Sequence, residues 1–222
     1  MEDLSVFKTQ DGSDSVYSDQ FGVSYHSKYG AIQESRHVFL KSGLYPKLQE
    51  LDRVDVLETG LGTGLNALLT CLEAEAVDKP VHYVALEAYP LPREQADTLN
   101  YPEYLGPASA AVFRQIHHCD WGAPVQITER FTFEKRRTPF EAFEQENAFD
   151  VVYFDAFAPN AQPELWEKAV LGRMYRALRL QGIFVTYCAK GAVKRCLKSL
   201  GFQIEALPGP PGKREMTRGI KG

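Results

Sequence analysis

The segment Glu58-Thr59-Gly60-Leu61-Gly62-Thr63-Gly64-Leu65-Asn66 sets three glycines at alternate positions, with an acid two residues before the first. Positions without side chains let the backbone approach a ligand closely, and the start of a following helix offers unpaired N–H groups. A nucleotide-like ligand is expected there, and the spacing selects among such ligands. Dinucleotide domains use GxGxxG, whose last glycine serves helix–strand packing and whose helix end faces a pyrophosphate. Here the pattern is GxGxG. S-adenosylmethionine has no phosphate but carries an ammonium and a sulfonium, for which a nearby carboxylate such as Glu58 is useful.

Glu87 ends the apolar run 82–86, just over 20 residues past the glycines. An acid at that place is positioned to accept hydrogen bonds from both ribose hydroxyls of a nucleoside. Asp155 closes the run Asp150-Val151-Val152-Tyr153-Phe154, which reads as a buried central strand. Its C-terminal end is where open α/β sheets place their ligands, and a carboxylate in such apolar company is seldom left without a partner. The run His117-His118-Cys119-Asp120 is not read as a metal site. It is expected on a strand, where adjacent side chains point to opposite faces, so a structural or adenine-pocket role is assigned instead.

The elements that position these residues alternate. Strands are expected at 54–58, 82–87, 112–116, 131–134, 149–155 and 182–188, with helices at 65–76, 92–99, 140–145, 164–178 and 192–200. Strand–helix alternation implies right-handed crossovers and a mostly parallel sheet covered on both faces, a doubly wound α/β fold. The tail departs from this unit: strands at 202–207 and 213–220 flank the stiff turn Pro208-Gly209-Pro210-Pro211-Gly212. A parallel crossover needs about a dozen residues, so these two strands must pair antiparallel. A seven-stranded, Rossmann-like sheet closed by an antiparallel hairpin is the expectation for class I S-adenosylmethionine-dependent methyltransferases, and it speaks against a nicotinamide-dependent oxidoreductase. Residues 1–50, polar and aromatic, read as an N-terminal extension packing on a main domain at 51–222.

The 222 residues are 44% hydrophobic, which suits one α/β domain with a continuous core. No run approaches the roughly 20 apolar residues of a membrane span, and residues 1–15 lack a signal-peptide pattern, so a cytoplasmic location away from membranes is expected. Cys71, Cys119, Cys188 and Cys196 are scattered without a CxxC pair, which indicates neither a zinc site nor a disulfide framework. Net charge is -4, yet residues 186–222 carry eight basic residues against Glu205 and Glu215, a local balance of +6. Such an end can steer a polyanion toward itself.

Six segments carry a resemblance to a known family: ESRHVFL (34–40), LETGLGTGLN (57–66), YFDAFAP (153–159) with QPELW (162–166), VTYCAKG (185–191), and PGPPGKREM (208–216). In that order they resemble the bacterial methyltransferases of the tRNA 5-methylaminomethyl-2-thiouridine pathway, which occur alone or fused to a flavin oxidoreductase domain. Residues 1–33 match only loosely, and the chain resembles the stand-alone form. The resemblance implies S-adenosylmethionine as cofactor, bound by Glu58, Gly60, Gly62, Gly64 and Glu87, with Asn66 orienting its methionine end. It implies as substrate the exocyclic amine of 5-aminomethyl-2-thiouridine at the wobble position of tRNA, with Asp155 facing that amine. Glu34 lies in a family segment but receives no role from its residue type.

An anticodon stem-loop must be held with its base splayed out on an aromatic or arginine plane while phosphates meet basic residues. Phe157, Trp166, Tyr187 and Tyr25 are the candidates for stacking, and Lys190, Lys213 and Arg214 for phosphates. Asp155 at an ordinary pKa near 3.9 would lie about 6 units below a lysine-like amine, roughly 8–9 kcal/mol uphill for full proton transfer. Its expected part is therefore to accept a hydrogen bond and align the lone pair. Two other readings fit the same motifs: an aminopropyltransferase-like enzyme using decarboxylated S-adenosylmethionine, and a non-catalytic methyltransferase-like module that binds RNA.

Overall fold

The computed structural model describes residues 4–222. Strands β1 (Leu4–Lys8), β2 (Asp14–Ser18) and β3 (Val23–Ser24) form a small antiparallel sheet. A continuous helical stretch follows: α1 (Ala31–Ser35), a π-helical run Arg36–Leu44, and α2 (Tyr45–Glu50). The alternating part then runs β4 (Val54–Thr59), α3 (Leu65–Ala76), β5 (Val81–Leu86), α4 (Arg93–Ala96), α5 (Tyr101–Leu105), α6 (Ala108–His118), β6 (Val125–Thr128) and β7 (Phe131–Arg136). It ends with β8 (Phe149–Phe154), α7 (Lys168–Ala177), β9 (Leu178–Thr186), α8 (Gly191–Leu200), β10 (Phe202–Pro208) and β11 (Glu215–Lys221).

The large sheet has the order β10-β11-β9-β8-β4-β5-β7-β6. Pairs β4–β5, β5–β7, β4–β8 and β8–β9 are parallel, whereas β6–β7, β9–β11 and β10–β11 are antiparallel. The chain builds outward from β4 through β5 to β7, then returns to β4's other side with β8. The order therefore reverses at β4, and a crevice opens at the carboxyl edge of that switch point.

Period-two alternation divides the core between the two faces of the sheet. Val54, Val56, Tyr83, Ala85, Val151 and Tyr153 join one cluster with Val16, Ala31, Val38 and Leu68, so the segment before residue 51 shares this core with the sheet. Leu57, Val84, Leu86, Val152 and Phe154 face the other way onto Val170, Leu171, Met174 and Leu197 of α7 and α8. β4 and β8 are buried at every residue, as the apolar reading of 149–155 requires.

The doubly wound α/β fold and its antiparallel terminal hairpin are present as expected, and the edge strand β6 lies where no strand was expected. The strand expected at 112–116 is instead the middle of α6. Its buried residues Ser109, Phe113, Ile116 and His117 are spaced four, three and one apart, the stripe of an amphipathic helix. The expected helix at 92–99 is only the short α4, and 140–145 contracts to a single 3-10 turn at Phe140–Ala142. The helix expected from 164 is split. A 3-10 turn Pro163–Trp166 precedes α7, and β9 already begins at Leu178.

At the sheet's amino edge, Arg179 Nη1 lies 2.9 Å from Asp55 Oδ2 and 2.8 Å from Asp150 Oδ2. Burial pushes the Asp55 carboxyl up, but hydrogen bonds from His82, Arg179 and Arg53 outweigh it and hold the group well below the usual carboxylate range. A depressed folded-state pKa contributes stability above the unfolded value near 4 and loses it as pH falls further. Arg179→Met is expected to lower stability by about 1–3 kcal/mol at pH 7, a range that allows for the arginine's 41% exposure. In urea unfolding the penalty should shrink below pH 4. A penalty independent of pH would remove this account.

Candidate active site

The glycine loop follows β4 at the switch point, and its shape explains its composition. Gly62 has φ +49, and a Cβ there would sit 2.9 Å from Tyr25 Cδ1; Gly64 has φ +73, and a Cβ would sit 2.7 Å from His117 Nε2. Both positions need left-handed backbone, and both are in close contact with a ring. His117 Nε2–H donates to Thr63 O at 3.1 Å, and His26 Nε2 lies 2.7 Å from Thr63 Oγ1, so two imidazoles brace the loop from opposite sequence directions. Burial lowers the pKa of each to about 4, keeping both rings neutral at physiological pH.

His117 and His118 thus end a helix rather than lying on a strand. His118 Nε2 pairs with Asp97 at 2.9 Å, and His117 serves the loop. The structural reading of this stretch is the one the geometry carries. The crevice itself is lined on the glycine side by Gly60, Leu61, Gly62, Thr63 and Asn66, and on the β5 side by Glu87, Ala88 and Tyr89. Pro139, Phe140 and Glu141 close its far end, Asp155, Ala156 and Phe157 its β8 side, and Phe21, Tyr25 and His26 its roof.

Glu87 Oε2 accepts the Gly62 N–H at 2.9 Å and Oε1 the Tyr89 N–H at 2.8 Å, which fixes the carboxylate at the crevice wall. Asn66, in the first turn of α3, donates both amide hydrogens to carboxylates: to Glu58 Oε1 and to Asp155 Oδ2, each at 2.9 Å. Two acceptors on one side assign the NH2 to that side. Asn66 Oδ1 is left buried without a hydrogen-bond partner among the described residues.

Glu58 is fully buried and contributes no surface to the crevice, unlike the ligand-facing acid expected from its spacing. Burial first, and then the charge of Asp155, push its carboxyl well above the usual range against the Asn66 hydrogen bond. Its geometric part is to hold Asn66. Asp155 is only partly exposed, and burial, reinforced by the charge of Glu34, pushes its carboxyl up to about 7 against the Asn66 hydrogen bond and Lys213.

Glu34 is the residue that sequence reasoning left without a role. It is buried, accepts the Ser27 N–H at 2.8 Å, and pairs with Lys213 Nζ at 2.6 Å. Only its place in the ESRHVFL segment signalled it. Lys213 lies 3.8 Å above the Tyr187 ring, and Tyr187 Oη–H donates to Ala156 O at 2.8 Å. Lys213 is therefore occupied within the fold rather than presented to phosphates, and Tyr187 braces the loop after β8. Trp166 is a core residue, not a stacking platform: it packs 4.9 Å from Phe154 and donates its Nε1–H to Phe157 O at 2.8 Å. Phe157 does line the crevice, 5.1 Å from both Phe21 and Tyr25. Lys190, ahead of α8, donates to Asn160 Oδ1, and Arg214 is exposed.

Comparison with known proteins now bears on this geometry. Residues 125–222 match the model of a family described as S-adenosyl-L-methionine-dependent methyltransferase. Over 219 residues, 91% of its length, the chain is 32% identical to the tRNA 5-methylaminomethyl-2-thiouridine biosynthesis bifunctional protein MnmC of a Marinomonas species, covering 32% of that protein. The chain is thus similar over most of its length to part of that protein. The protein of the same name from Aromatoleum aromaticum is 33% identical over 226 residues, 95% of this chain and 34% of that one. The chain thus spans about a third of the length of the curated relatives it matches. The crystal structure of MNMC2 from Aquifex aeolicus superposes with a TM-score of 0.84 at 22% identity, covering 99% of this chain and 70% of that one, which establishes the shared fold.

The raised pKa of Asp155 has a consequence for stability. A carboxyl with a folded value near 7 and an unfolded value near 4 binds more protons when native, so it lowers stability progressively as pH rises through that window. Three units set an upper bound of about 4 kcal/mol. Asp155→Asn is expected to unfold at higher denaturant than the parent at pH 8, with the gain vanishing by about pH 4. Equal stability at pH 8 would show that the carboxylate is not strained by its surroundings.

Proposed function

We propose that this chain transfers the methyl group of S-adenosylmethionine to the exocyclic amine of 5-aminomethyl-2-thiouridine at the wobble position of a tRNA anticodon stem-loop, in the cytoplasm. The observation that carries the reading is Asp155. It stands at the carboxyl end of β8, in the same crevice as the glycine loop and Glu87, with its carboxyl raised to about 7. The curated relatives carry the name of the corresponding tRNA biosynthesis.

The residues fit the cofactor. Asn66 Oδ1, a buried acceptor without a partner among the described residues, suits the methionine ammonium. Glu87 suits the ribose hydroxyls, and Pro139 and Phe140 offer an apolar end for adenine. Gly60 and Gly62 leave room along the backbone, and Glu58 and Gly64 act beneath the surface by holding Asn66 and admitting His117. When bound, S-adenosylmethionine supplies a methyl carbon made electrophilic by the sulfonium.

Asp155 accepts a hydrogen bond from the substrate amine and aims its lone pair. With the donor bound, the amine nitrogen would take the methyl group as sulfur is displaced, and one amine proton would depart toward Asp155 or water. Against a lysine-like amine near 10.4, a carboxylate near 7 narrows the proton-transfer gap to roughly 3 units, about 4–5 kcal/mol, half of what an ordinary aspartate would face. Burial of the amine narrows it further. Asp155 thereby gains a share in proton removal beyond alignment. Phe157, flanked by Phe21 and Tyr25, would offer the ring face for the splayed base, and the exposed Lys190 and Arg214 would meet phosphates.

The purified chain, supplied with S-adenosylmethionine and tRNA bearing the aminomethyl nucleoside, should yield the N-methyl nucleoside by mass spectrometry of digests. Decarboxylated S-adenosylmethionine in parallel should yield no aminopropyl product; an aminopropyl adduct, or donor binding with no product at all, would overturn the assignment. Asp155→Asn should retain donor binding in equilibrium dialysis while losing at least about 100-fold in kcat. For the parent, kcat/KM should rise with pH through a step near 7 as Asp155 ionises.

A further inference from the structure

A second cavity shares a wall with the crevice. Leu61, Gly62 and Glu87 line both, and on its far side stand Arg93, Trp121, Lys135 and Arg137. All three cations lie outside the basic 186–222 segment. Lys135 is 1% exposed, and its Nζ donates to His117 O at 2.7 Å. No carboxylate lies within ion-pair distance of it among the described residues. Its Nζ sits 4.8 Å from the centre of the Trp121 ring, and the Arg137 guanidinium carbon sits 5.2 Å from the same ring. Positions 135 and 137 project to the same side of the extended chain, so the indole gathers both charges at one place. Arg93 joins from α4, held by a 3.3 Å hydrogen bond to His118 O.

A buried ammonium with two exposed guanidiniums on the same cavity wall leaves like charges facing one another, a repulsion that a bound anion relieves. Glu87 is the one carboxylate in the cavity wall among the described residues, so one negative charge faces three positive ones there, a balance of +2. Asp120, which also acts on Lys135 electrostatically, is exposed to solvent. Two guanidinium forks beside an ammonium match the tetrahedral oxygens of a phosphate.

We infer that Arg93, Lys135 and Arg137, gathered by Trp121, form a phosphate site that takes a backbone phosphodiester of the RNA whose base enters the neighbouring crevice. The inference rests on the proposed action on tRNA. It puts a sequence-independent anchor on the β5–β7 side of the crevice, opposite the loops after β8 and β9, so the nucleic acid is held from both sides of the reacting base.

The test measures binding of an anticodon stem-loop RNA by fluorescence anisotropy across a salt series, for the parent, Arg137→Gln, Arg93→Gln/Arg137→Gln, and Arg130→Gln. The last removes an equal charge at the amino edge of the sheet, where Arg130 pairs with Asp78. Arg93 and Arg137 are exposed, so their replacement does not disturb the core. Removing one phosphate contact should lower the slope of log affinity against log salt by about one, and removing two by about two, with affinity falling roughly fivefold or more per contact near physiological salt. S-adenosylmethionine affinity and the Arg130→Gln slope should match the parent.

Slopes that do not change in the arginine variants would overturn the inference. So would inorganic phosphate that perturbs Trp121 fluorescence in a saturable way while the variants bind RNA like the parent, because the site would then serve a small phosphorylated compound. A parent chain that binds the methyl donor but no RNA would instead defeat the substrate reading on which the inference rests, a result distinct from unaltered slopes.

Discussion

One primary amide, that of Asn66, joins the two carboxyl groups on which the crevice depends. Glu58 is the last residue but one of the first strand of the alternating fold, Asp155 follows its neighbour in the sheet, and both accept from the same NH2 at 2.9 Å. Two carboxylates drawn this close beneath an apolar sheet repel each other and resist ionisation, and the bridging donor is what makes their proximity tolerable. The result is an asymmetric pair. The inner member is sealed and serves as support, and the outer member is partly exposed with a pKa set by its surroundings rather than by its own chemistry. Because α3 begins directly after the glycine loop, the same amide couples the loop's backbone to the acid across the crevice.

The rest of the architecture can be understood as what brings this arrangement to an accessible edge. The reversal of strand order at β4 places the ends of β4, β5 and β8 side by side, so that one loop, Glu87 and Asp155 face a common space without any of them leaving the sheet. The small N-terminal sheet supplies the roof through Phe21, Tyr25 and His26. It is fixed to the main body by reciprocal hydrogen bonds between Asp14 and the distant Asn100, at 2.8 and 3.0 Å. The roof is thus anchored by polar contacts far from the aromatic rings it positions.

The sequence made the scaffold legible where local pattern and tertiary position agree. The unbroken apolar run at 149–154, the glycines and the short Pro-Gly turn each admit few geometries, and β8, the loop and the β10–β11 hairpin are found where they demand. Around Val112 a β-branched residue among apolar neighbours suits a short strand equally well, and it is tertiary burial of the four-three-one stripe that selects α6. Residue type announced that Glu58, Trp166 and Lys213 mattered, but not which way they face. Glu58 points inward to Asn66, Trp166 satisfies its N–H on a backbone carbonyl within the core, and Lys213 neutralises a glutamate 179 positions away. Such pairings are products of the fold, and Glu34, which a family segment marks but whose residue type assigns no role, acquires one only through its partner.

The Glu34–Lys213 contact also reaches beyond its own two charges. It ties the helical stretch before β4 to the turn of the terminal hairpin, across 179 positions of sequence. Both partners act on Asp155 with opposite sign: Glu34 raises its carboxyl and Lys213 lowers it. In the sheet β9 separates β8 from the hairpin, so the hairpin never pairs with the strand that carries the acid. The crevice is therefore trimmed electrostatically by an element that forms none of its walls.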